Sequence, residues 1–331
     1  MAADDEARRK DEHTKIHNEI WSETIWPGIQ EANNLVDGNR PPAAPGSLLH
    51  FTDAGALLSL LATGNLWVSR ALASNDPSEL DHGRSIALKE QALVIGKSEV
   101  PSRDQIFEEE IRASFDGKLT DGKIKQLFDP HICCFTTEDN ADVVAHWAMY
   151  GRDGSGFALR FKGKALDNMV SQNATLVPVV YDEAKQGEHM RALLGIARAS
   201  CFKAFEYAHK YGGSEYWPAR SYKIAGQAFG NVITLHAATM KAPSFAAEKE
   251  WRLLHVGIEK KGGPQLMKAD ARGAIIRTYF EAKFVPDDLE AVIVGPVHAG
   301  PNLPVVRRLL EKYGYTNTKV ETGKVALRTL R

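Results

Sequence analysis

The chain has 331 residues, of which 44% are hydrophobic and 25% are charged, so it can bury the core of one elaborated domain or of two domains. A formal net charge of -1 gives no overall basic field of the kind that dominates nucleic-acid binding. No run approaches the roughly 20 apolar residues of a membrane span, and the charged N-terminal segment is unlike a secretory signal, so we expect a cytoplasmic protein with no membrane association.

Residues 1–38 predict a helical N-terminal extension. An apolar stripe at helical spacing runs up to Pro27, which is expected to interrupt the helix, and consists of Ile16, Ile20, Trp21 and Ile25. This stripe must pack either on the main body of the protein or against a partner or a second copy. The Pro-rich residues 39–46 predict a stiff linker, so the expected division is an extension with its linker over residues 1–46 and a main domain over residues 47–331.

The next segment predicts strand, helix, strand, turn and helix in that order. A short apolar strand covers residues 48–51, and Asp53 is expected to cap a helix that ends at Gly64. The apolar residues of this helix repeat at i, i+3, i+4 and i+7, and they are Ala54, Leu57, Leu58 and Leu61. A second strand covers residues 66–69, and Asp76-Pro77-Ser78-Glu79 has the composition of a helix start.

The rest of the chain mixes short strands with helices of unequal length. Residues 84–128 predict charged helices, and they are followed by a strand in HICCFTT, a short helix in DNADVVAHWAMYG and strands in GSGFALRF and LVPVVYD. Residues 183–240 predict a helical insertion of at least two pieces. Strands starting at Glu250, over residues 275–279 and in AVIVGP, with a helix over residues 305–313, complete the chain. Without regular βαβ alternation, this order predicts the α+β class.

The three cysteines are Cys133, Cys134 and Cys201, and an odd total with an adjacent pair does not suit a disulfide framework. No CxxC pair, HExxH motif or other clustered His/Cys spacing occurs, so we expect no metal. Cys134 would act as a nucleophile only with His131 or His146 as its base. Its apolar neighbours favour a structural strand cysteine instead.

GRDGSG, residues 151–156, has the glycine content of a phosphate-binding loop but the opposite context. Phosphate-binding glycine loops follow a strand and open a helix, whereas here a predicted helix precedes and a predicted strand follows. This segment therefore predicts a turn.

Glu248 and Glu250 stand two residues apart where a hydrophobic strand is expected to begin. Residues at this spacing share a face, so the two carboxylates would lie side by side while Trp251 and Leu253 point the other way. On a solvated strand edge such a pair needs no functional role, whereas at the entrance of a cleft it is suited to electrostatic stabilisation or acid/base catalysis. The spacing alone leaves both interpretations open.

A second group of polar and aromatic residues completes a candidate site. His50 and Thr52 offer hydrogen-bonding groups at the end of the first strand, and Trp147 or Tyr150 offers a flat face for an aromatic ring. A structural role for His50 is the alternative.

Several separately spaced motifs then occur in a characteristic order, namely LHFTD, GNLWVS, NDPSE, CFTT with HWAMYG, GFALRF, EKEWRLL and VIVGP. From about residue 48 to the C-terminus this order resembles the bacterial family of proteins known as domain of unknown function 2971. That family is thought to be related to the ADP-ribosyltransferases, whose fold is a split pair of small β-sheets that clasps NAD. The resemblance implies this fold with flanking helices and the helical insertion.

The resemblance also implies roles for individual residues. His50 and Thr52 match the first-strand element of the superfamily, Thr136 and Thr137 match the middle strand, and the Glu-x-Glu pair matches the catalytic strand. Here CFTT stands where the bacterial toxins of the superfamily have Ser-Thr-Ser. The implied catalytic residues are Glu250, Glu248 and His50. The implied NAD-binding residues are His50, Phe51, Thr52, Ser69, Asn75, Thr136, Thr137, Trp147, Tyr150 and Arg252.

The implied chemistry is cleavage of the nicotinamide-ribose bond of NAD, with transfer of ADP-ribose to a protein or nucleic-acid acceptor. Because the sugar gains oxocarbenium character, a fixed anion such as Glu250 would stabilise the transition state more than the ground state. Glu248 would accept the proton of the incoming nucleophile, and Arg252 or Arg70 would meet the pyrophosphate. A bacterial toxin or phage-defence effector is the implied setting. A non-catalytic nucleotide-binding or partner-binding module and an NAD hydrolase are the alternatives.

Overall fold

The computed structural model of the chain describes residues 2–39, 44–71, 79–95, 101–115, 130–169, 174–211, 216–256, 268–272 and 275–325. The protein is of the α+β class, as predicted, and it divides into two compact units. A helical unit is formed by residues 1–39, 78–128 and 180–242, and a sheet unit by residues 40–77, 129–179 and 243–331. The division at residue 46 that the sequence predicts, between an extension with its linker and a main domain, stays a prediction.

The helical unit is built from six α-helices among its described residues. They are α1 (Ala2–Ile20), α2 (Trp26–Asn39), α4 (Glu79–Ile95), α5 (Pro101–Phe115), α8 (Glu183–Ala208) and α9 (Tyr216–Ala237). The longest pair, α8 and α9, contributes most of the apolar core, and the predicted N-terminal stripe packs into the same core through Ile16, Ile20 and Ile25. Pro218 does not break α9, since it lies in the first turn, where its missing N–H is not needed.

Pro27 does not interrupt the N-terminal helix, contrary to the sequence prediction. A single π-helical turn, Trp21–Ile25, joins α1 to α2, and the N–H of Trp26 donates to the carbonyl of Trp21. The wider turn shifts the hydrogen-bonding ladder just before the proline, so the helical path continues through it.

Gln91 in α4 is a buried amide with no partner in the part of the chain that the structure describes. Its side chain is 1% exposed, and neither its oxygen nor its nitrogen has a hydrogen-bond partner among the described residues. Burying such an amide costs about 1–3 kcal/mol. We therefore expect Gln91→Met, which keeps the volume and removes the polar atoms, to raise the free energy of unfolding by about that amount in urea titrations followed by circular dichroism.

Gln105→Met on α5 is the matched control, because Gln105 is exposed and its amide donates to Glu109 on the helix surface. Its effect should stay within about 0.5 kcal/mol. An unchanged or lower midpoint for Gln91→Met would show that the amide is satisfied in solution.

The sheet unit contains ten described strands. They are β1 (Ser47–Thr52), β2 (Asn65–Arg70), β3 (Pro130–Thr137), β4 (Phe157–Lys162), β5 (Ala174–Pro178), β6 (Glu250–Val256), β7 (Lys268–Arg272), β8 (Ile275–Lys283), β9 (Leu289–Val294) and β10 (Lys319–Thr322). Its described α-helices are α3 (Ala54–Thr63), α6 (Val144–Met149), α7 (Gly163–Asn168) and α10 (Ala299–Lys312). β7 and β10 are the strands that the sequence analysis missed.

The sheet branches at β3, which has three neighbours. β6 pairs with it from Pro130 to Thr136, and so occupies one edge. The other edge is shared, because β1 pairs with Thr136 and Thr137 whereas β2 pairs with His131 and Ile132. From there β1 continues into an arm with β4, β9 and β10, and β2 continues into a second arm with β8 and β7. We call residues 133–135, which lie between the two shared ladders, the β3 gap.

One face of the sheet carries the main apolar core of this unit. Register places Leu48, Phe135 and Trp251 on this face, where they pack with residues of α3, α7 and α10. The predicted cap of α3 is confirmed, since Asp53 accepts a hydrogen bond from the N–H of Ala56 at 2.8 Å. Side chains that point away from this core form the face on which the candidate site lies.

Candidate functional site

The candidate site begins with the residues of β3 and β6 that face away from the core. Register pairs Thr136 with Glu250 and Cys134 with Arg252, and residues directly opposite one another point to the same side. These four residues define what we call the site face. Trp251 points into the core, as the sequence predicted.

Glu248 does not share a strand with Glu250, and this corrects the sequence analysis. A 3₁₀ turn covers Pro243–Glu248, Lys249 adopts a positive φ of 44°, and β6 begins only at Glu250. The left-handed residue breaks the two-residue period, so the carboxylates enter the site from different backbone directions. Lys249 forms an ion pair with Asp139, which ties this turn to the segment that follows β3. That pair lowers the pKa of Asp139.

Glu250 and Arg252 form a buried, bidentate ion pair. The Nε of Arg252 lies 2.8 Å from Oε1 of Glu250, and a terminal nitrogen lies 3.1 Å from Oε2. Glu250 is 6% exposed and Arg252 is fully buried. The guanidinium of Arg252 is therefore committed to a carboxylate two residues away on the same strand face, and its expected contact with a pyrophosphate stays a prediction.

Glu248 is the more accessible carboxylate, and its position is fixed from two sides. Its side chain is half-buried, and the hydroxyl of Tyr150 donates to Oε1 at 2.6 Å. Its backbone carbonyl accepts hydrogen bonds from the hydroxyl of Thr136 at 2.5 Å and from the amide of Asn140 at 3.0 Å. The structure thus brings together three predicted site residues, namely Glu248, Thr136 and Tyr150.

Asn140 and His146 belong to this cluster although the sequence analysis did not select them as site residues. Asn140 is 3% exposed, and its amide nitrogen lies 2.7 Å from the hydroxyl of Thr136 and 3.2 Å from Nε2 of His146. Burial lowers the pKa of His146, and the Glu248 backbone and charge oppose this change. The signal for Asn140 was its place four residues after Thr136, at the first polar turn beyond the strand.

His50 lies on the other side of the sheet from the site face. It pairs with Leu159, while its neighbour Leu49 pairs with Thr136, so the alternation of strand residues separates His50 from Thr136 and Glu250. Its Nδ1 lies 2.9 Å from the carbonyl oxygen of Cys134 in the β3 gap, and burial lowers the pKa of its imidazole. The sequence analysis expected His50 and the two glutamates to form one catalytic site. This expectation is wrong, because His50 and Glu250 lie on opposite faces of the sheet. Thr52 is buried on the same side as His50.

Trp147 is not available to stack on a ligand. It is fully buried, its indole N–H donates to the carbonyl of Ala141 at 2.7 Å, and Phe51 packs edge-on against it at 5.0 Å between ring centroids. Phe51 and Tyr150 are half-buried, so they remain the aromatic residues that a ligand at the site can reach.

The remaining predicted residues have separate positions. Thr137 is half-buried, and its hydroxyl donates to Asp139. Ser69 is half-buried and pairs with Ile132 at the far side of the β3 gap. Asn75 lies outside the described residues.

Cys134 marks an opening in the sheet. Of the eight residues of β3, which the structure describes in full, it alone is exposed. Its neighbour Cys133 is buried on the core side, where burial raises the pKa of the thiol to about 12. His131 lies on that core side too, so it is not placed to activate Cys134. Cys134 is thus the one exposed residue of the site face, whereas Thr136, Glu250 and Arg252 are buried.

The described residues contain neither a metal-binding group nor a membrane-spanning helix. Among them, no group of three or more His, Cys, Asp or Glu residues is placed to hold a metal ion. None of the helices in this part of the chain has both the length and the apolar content needed to cross a membrane. The turn predicted for GRDGSG is confirmed, with positive φ angles at Arg152, Asp153 and Gly154.

Comparison with known protein families gives a match over part of the chain. The family model described as "Protein of unknown function (DUF2971)" matches residues 146–253. Neither a curated protein nor a solved structure matches the chain. The matched segment runs from His146 to Leu253, and so contains Tyr150, both candidate glutamates and Arg252. Over this segment the chain matches the DUF2971 family of proteins of unknown function.

Proposed function

We propose that the protein is an ADP-ribosyltransferase that cleaves the nicotinamide-ribose bond of NAD and transfers ADP-ribose to a macromolecular acceptor. The proposal rests on the way in which β1 and β2 pair with different halves of the same edge of β3. The two carboxylates lie next to Thr136, where β1 pairs with β3. The two arms of the sheet would correspond to the split pair of sheets of the ADP-ribosyltransferase fold. The exposure of Cys134 supports a ligand site at the β3 gap.

The two carboxylates are suited to different tasks. Glu250 is held rigidly by Arg252, which suits a preorganised anion beside a sugar that gains positive charge. A bidentate guanidinium leaves further lone pairs on the carboxylate oxygens, so a ribose hydroxyl can still donate to them. Glu248 is half-buried and more accessible, and Tyr150 orients it. It is the better candidate to receive a proton from an acceptor.

The proposed step conserves atoms and charge. The bond between the ribose C1′ and the nicotinamide nitrogen breaks, and its electron pair leaves with nicotinamide. A nucleophilic oxygen or nitrogen of the acceptor forms the new bond to C1′, and its proton passes to the carboxylate of Glu248. The half-buried rings of Phe51 and Tyr150 would exclude water from the leaving group.

The test is incubation of the purified protein with labelled NAD and a bacterial lysate, followed by protease or nuclease. We expect label on the acceptor, and we expect Glu248→Gln to reduce its rate by about 100-fold, the lower range for loss of a general base. Label that is lost with protease would identify a protein acceptor, and label that is lost with nuclease a nucleic acid. Free ADP-ribose alone would identify a hydrolase.

Glu311→Gln on α10 is the matched control, since Glu311 is exposed on another element and should transfer at the wild-type rate. Thermal unfolding of all variants separates lost chemistry from lost folding. The proposal fails if wild-type protein neither binds nor consumes NAD, or if a well-folded Glu248→Gln variant retains full activity.

The ion pair favours one other candidate function, which is binding of a nucleotide or NAD-like ligand without chemistry. Arg252 offsets the charge of Glu250, and a neutralised carboxylate stabilises an oxocarbenium-like sugar less than an uncompensated one. A thermal shift with NAD, without any product, would favour this function over transfer.

A further inference from the structure

Helix α8 has one outward side whose middle is made of apolar residues, three of them small. Ala192, Gly195 and Ala199 are exposed there, and Ile196 is half-buried among them. The spacing of three and four residues keeps all four on one side of the helix, away from the buried residues with which α8 contributes to the core of the helical unit. We call these four residues the α8 seam.

Gly195 has no packing role among the described residues. A glycine in the middle of a 26-residue helix costs about 1 kcal/mol relative to alanine. A Cβ atom placed on Gly195 would meet nothing within 4 Å, so no close contact in this part of the chain requires a glycine. A missing side chain does let another backbone approach closely, which suits a helix that packs on α8 from a second molecule.

A groove lies beside the seam, between α8 and the start of α2. Its volume is about 480 Å³, and the seam forms one wall while Pro27 and Glu31 of α2 contribute to the other. Ser200 lines the same groove and is 7% exposed, and its hydroxyl has no hydrogen-bond partner in the part of the chain that the structure describes. A polar side chain buried to this extent usually has a partner, so the groove is suited to receive side chains from outside the chain.

The two ends of the seam carry opposite charges. Glu188 lies one helical turn before Ala192, Lys203 lies one turn after Ala199, and both charged side chains are exposed. Neither forms an ion pair with a described residue. Arg191 lies near Glu188 but forms its ion pair with Glu90. The order along this side of α8 is therefore acidic, apolar and basic, and this order is complementary to itself when one helix is reversed.

An antiparallel pair of α8 helices would use every contact of the seam twice. When Glu188 of one copy lies opposite Lys203 of the other, Ala192 falls opposite Ala199, and Gly195 falls opposite Ile196. Both ends then gain an ion pair, and each Ile196 packs over the glycine of the other copy. The paired segment is about 22 Å long at 1.5 Å per residue.

We infer that the protein forms a two-fold dimer in which two copies pack their α8 helices antiparallel along the α8 seam. The apolar middle excludes water, and the charged ends fix the direction and the register of the two helices. The N-terminal stripe of Ile16, Ile20 and Ile25 is packed inside the helical unit, so the contact between copies lies on α8 and not on that stripe. This inference is independent of the proposed function.

Sedimentation velocity over a range of protein concentrations measures the association. We expect wild-type protein to dimerise and Gly195→Leu to raise the dissociation constant by about tenfold or more, because the leucine occupies the space of Ile196 from the other copy. Gly300→Leu on α10 is the matched control, since Gly300 is exposed and a Cβ there also meets nothing within 4 Å. It should leave the dissociation constant unchanged. Circular dichroism checks that each variant is folded.

Charge reversal tests the antiparallel register. Glu188→Lys and Lys203→Glu each place like charges at both ends of the seam, so we expect each variant alone to be monomeric at concentrations at which wild type is dimeric. An equal mixture of the two variants should dimerise again, because every mixed pair has a lysine opposite a glutamate at both ends.

Three results would overturn the inference. They are a wild type that is monomeric at every concentration, a dimer that Gly195→Leu leaves intact, and a mixture of the charge variants that stays monomeric. The first result would leave the groove to a small molecule or to a different protein. The second and third would place the contact between copies on another surface.

Discussion

Replacing Arg252 with methionine is expected to lower the free energy of unfolding by about 3–5 kcal/mol, the usual effect of removing one partner from a buried ion pair. Arg252 is fully buried and holds both oxygens of Glu250, which is itself only 6% exposed. The carboxylate would lose its bidentate partner while staying in a site with little water. Urea unfolding at neutral pH measures the change.

Two further variants make this result interpretable. Glu250→Gln combined with Arg252→Met removes both charges, and we expect the pair to be less destabilised than Arg252→Met alone. Arg152→Met removes a surface ion pair with Asp53, in which Arg152 is 68% exposed, and should cost less than about 1 kcal/mol. Wild-type stability for Arg252→Met would mean that the buried pair is not formed in solution.

The ion pair also changes how activity data on the two glutamates are to be interpreted. Glu250→Gln alters a buried electrostatic contact as well as any chemistry, so a loss of activity in that variant has two explanations. Glu248 contacts Tyr150 through its side chain and is half-buried, so Glu248→Gln perturbs the fold much less. The catalytic hypothesis is therefore tested more cleanly at Glu248, although the sequence resemblance gave Glu250 the larger role.

The sequence correctly predicted the features that depend only on neighbouring residues, such as helix caps and the alternation of side chains along a strand. Asp53 caps α3 and Gly64 ends it in the left-handed conformation, because a short acceptor and a residue without a Cβ are what those positions require. The strand of residues 66–69 and the apolar direction of Trp251 followed from two-residue alternation. By contrast, β7 and β10 are short, polar edge strands with no apolar run to reveal them.

The candidate site was predicted less well because its geometry depends on contacts between distant segments. Nothing in the letters EKE indicates that Lys249 takes a positive φ, which separates the two glutamates. The burial of Trp147 depends on its packing with Phe51, and the separation of His50 from Thr136 depends on strand register. Alternation within one strand is visible in sequence, whereas the register between strands is set by the whole sheet.

The second large effect that we expect is a loss of stability on acidification, caused by a buried histidine pair in the helical unit. His236 on α9 is fully buried, and its Nδ1 lies 2.7 Å from Nε2 of His189 on α8. Burial, with a smaller effect of His189, lowers the pKa of His236 from 6.5 to about 3. Burial also lowers the pKa of His189. The folded protein therefore keeps His236 neutral at pH values at which the unfolded chain protonates it.

Proton linkage determines whether the free energy of unfolding rises or falls with pH. Between pH 6.5 and about 3 the unfolded state binds the additional proton, so the free energy of unfolding falls as the pH falls. The slope for this one group is about 1.4 kcal/mol for each pH unit, or roughly 5 kcal/mol over the whole window. Below the folded pKa the contribution stops growing. Above the unfolded pKa the group imposes no penalty.

His236→Asn isolates this contribution, because the asparagine side chain can replace Nδ1 as a partner of His189 and does not titrate. We expect the stability of wild type relative to this variant to fall by about 2 kcal/mol between pH 6.5 and pH 5 in urea titrations, while contributions from carboxylates cancel in the difference. His209→Asn, at an exposed position in the turn after α8, is the matched surface control, and its free energy of unfolding at neutral pH should stay within about 0.5 kcal/mol of wild type. Parallel stability curves for wild type and His236→Asn would mean that His236 is protonated equally in the folded and unfolded states, and that the buried neutral pair does not exist in solution.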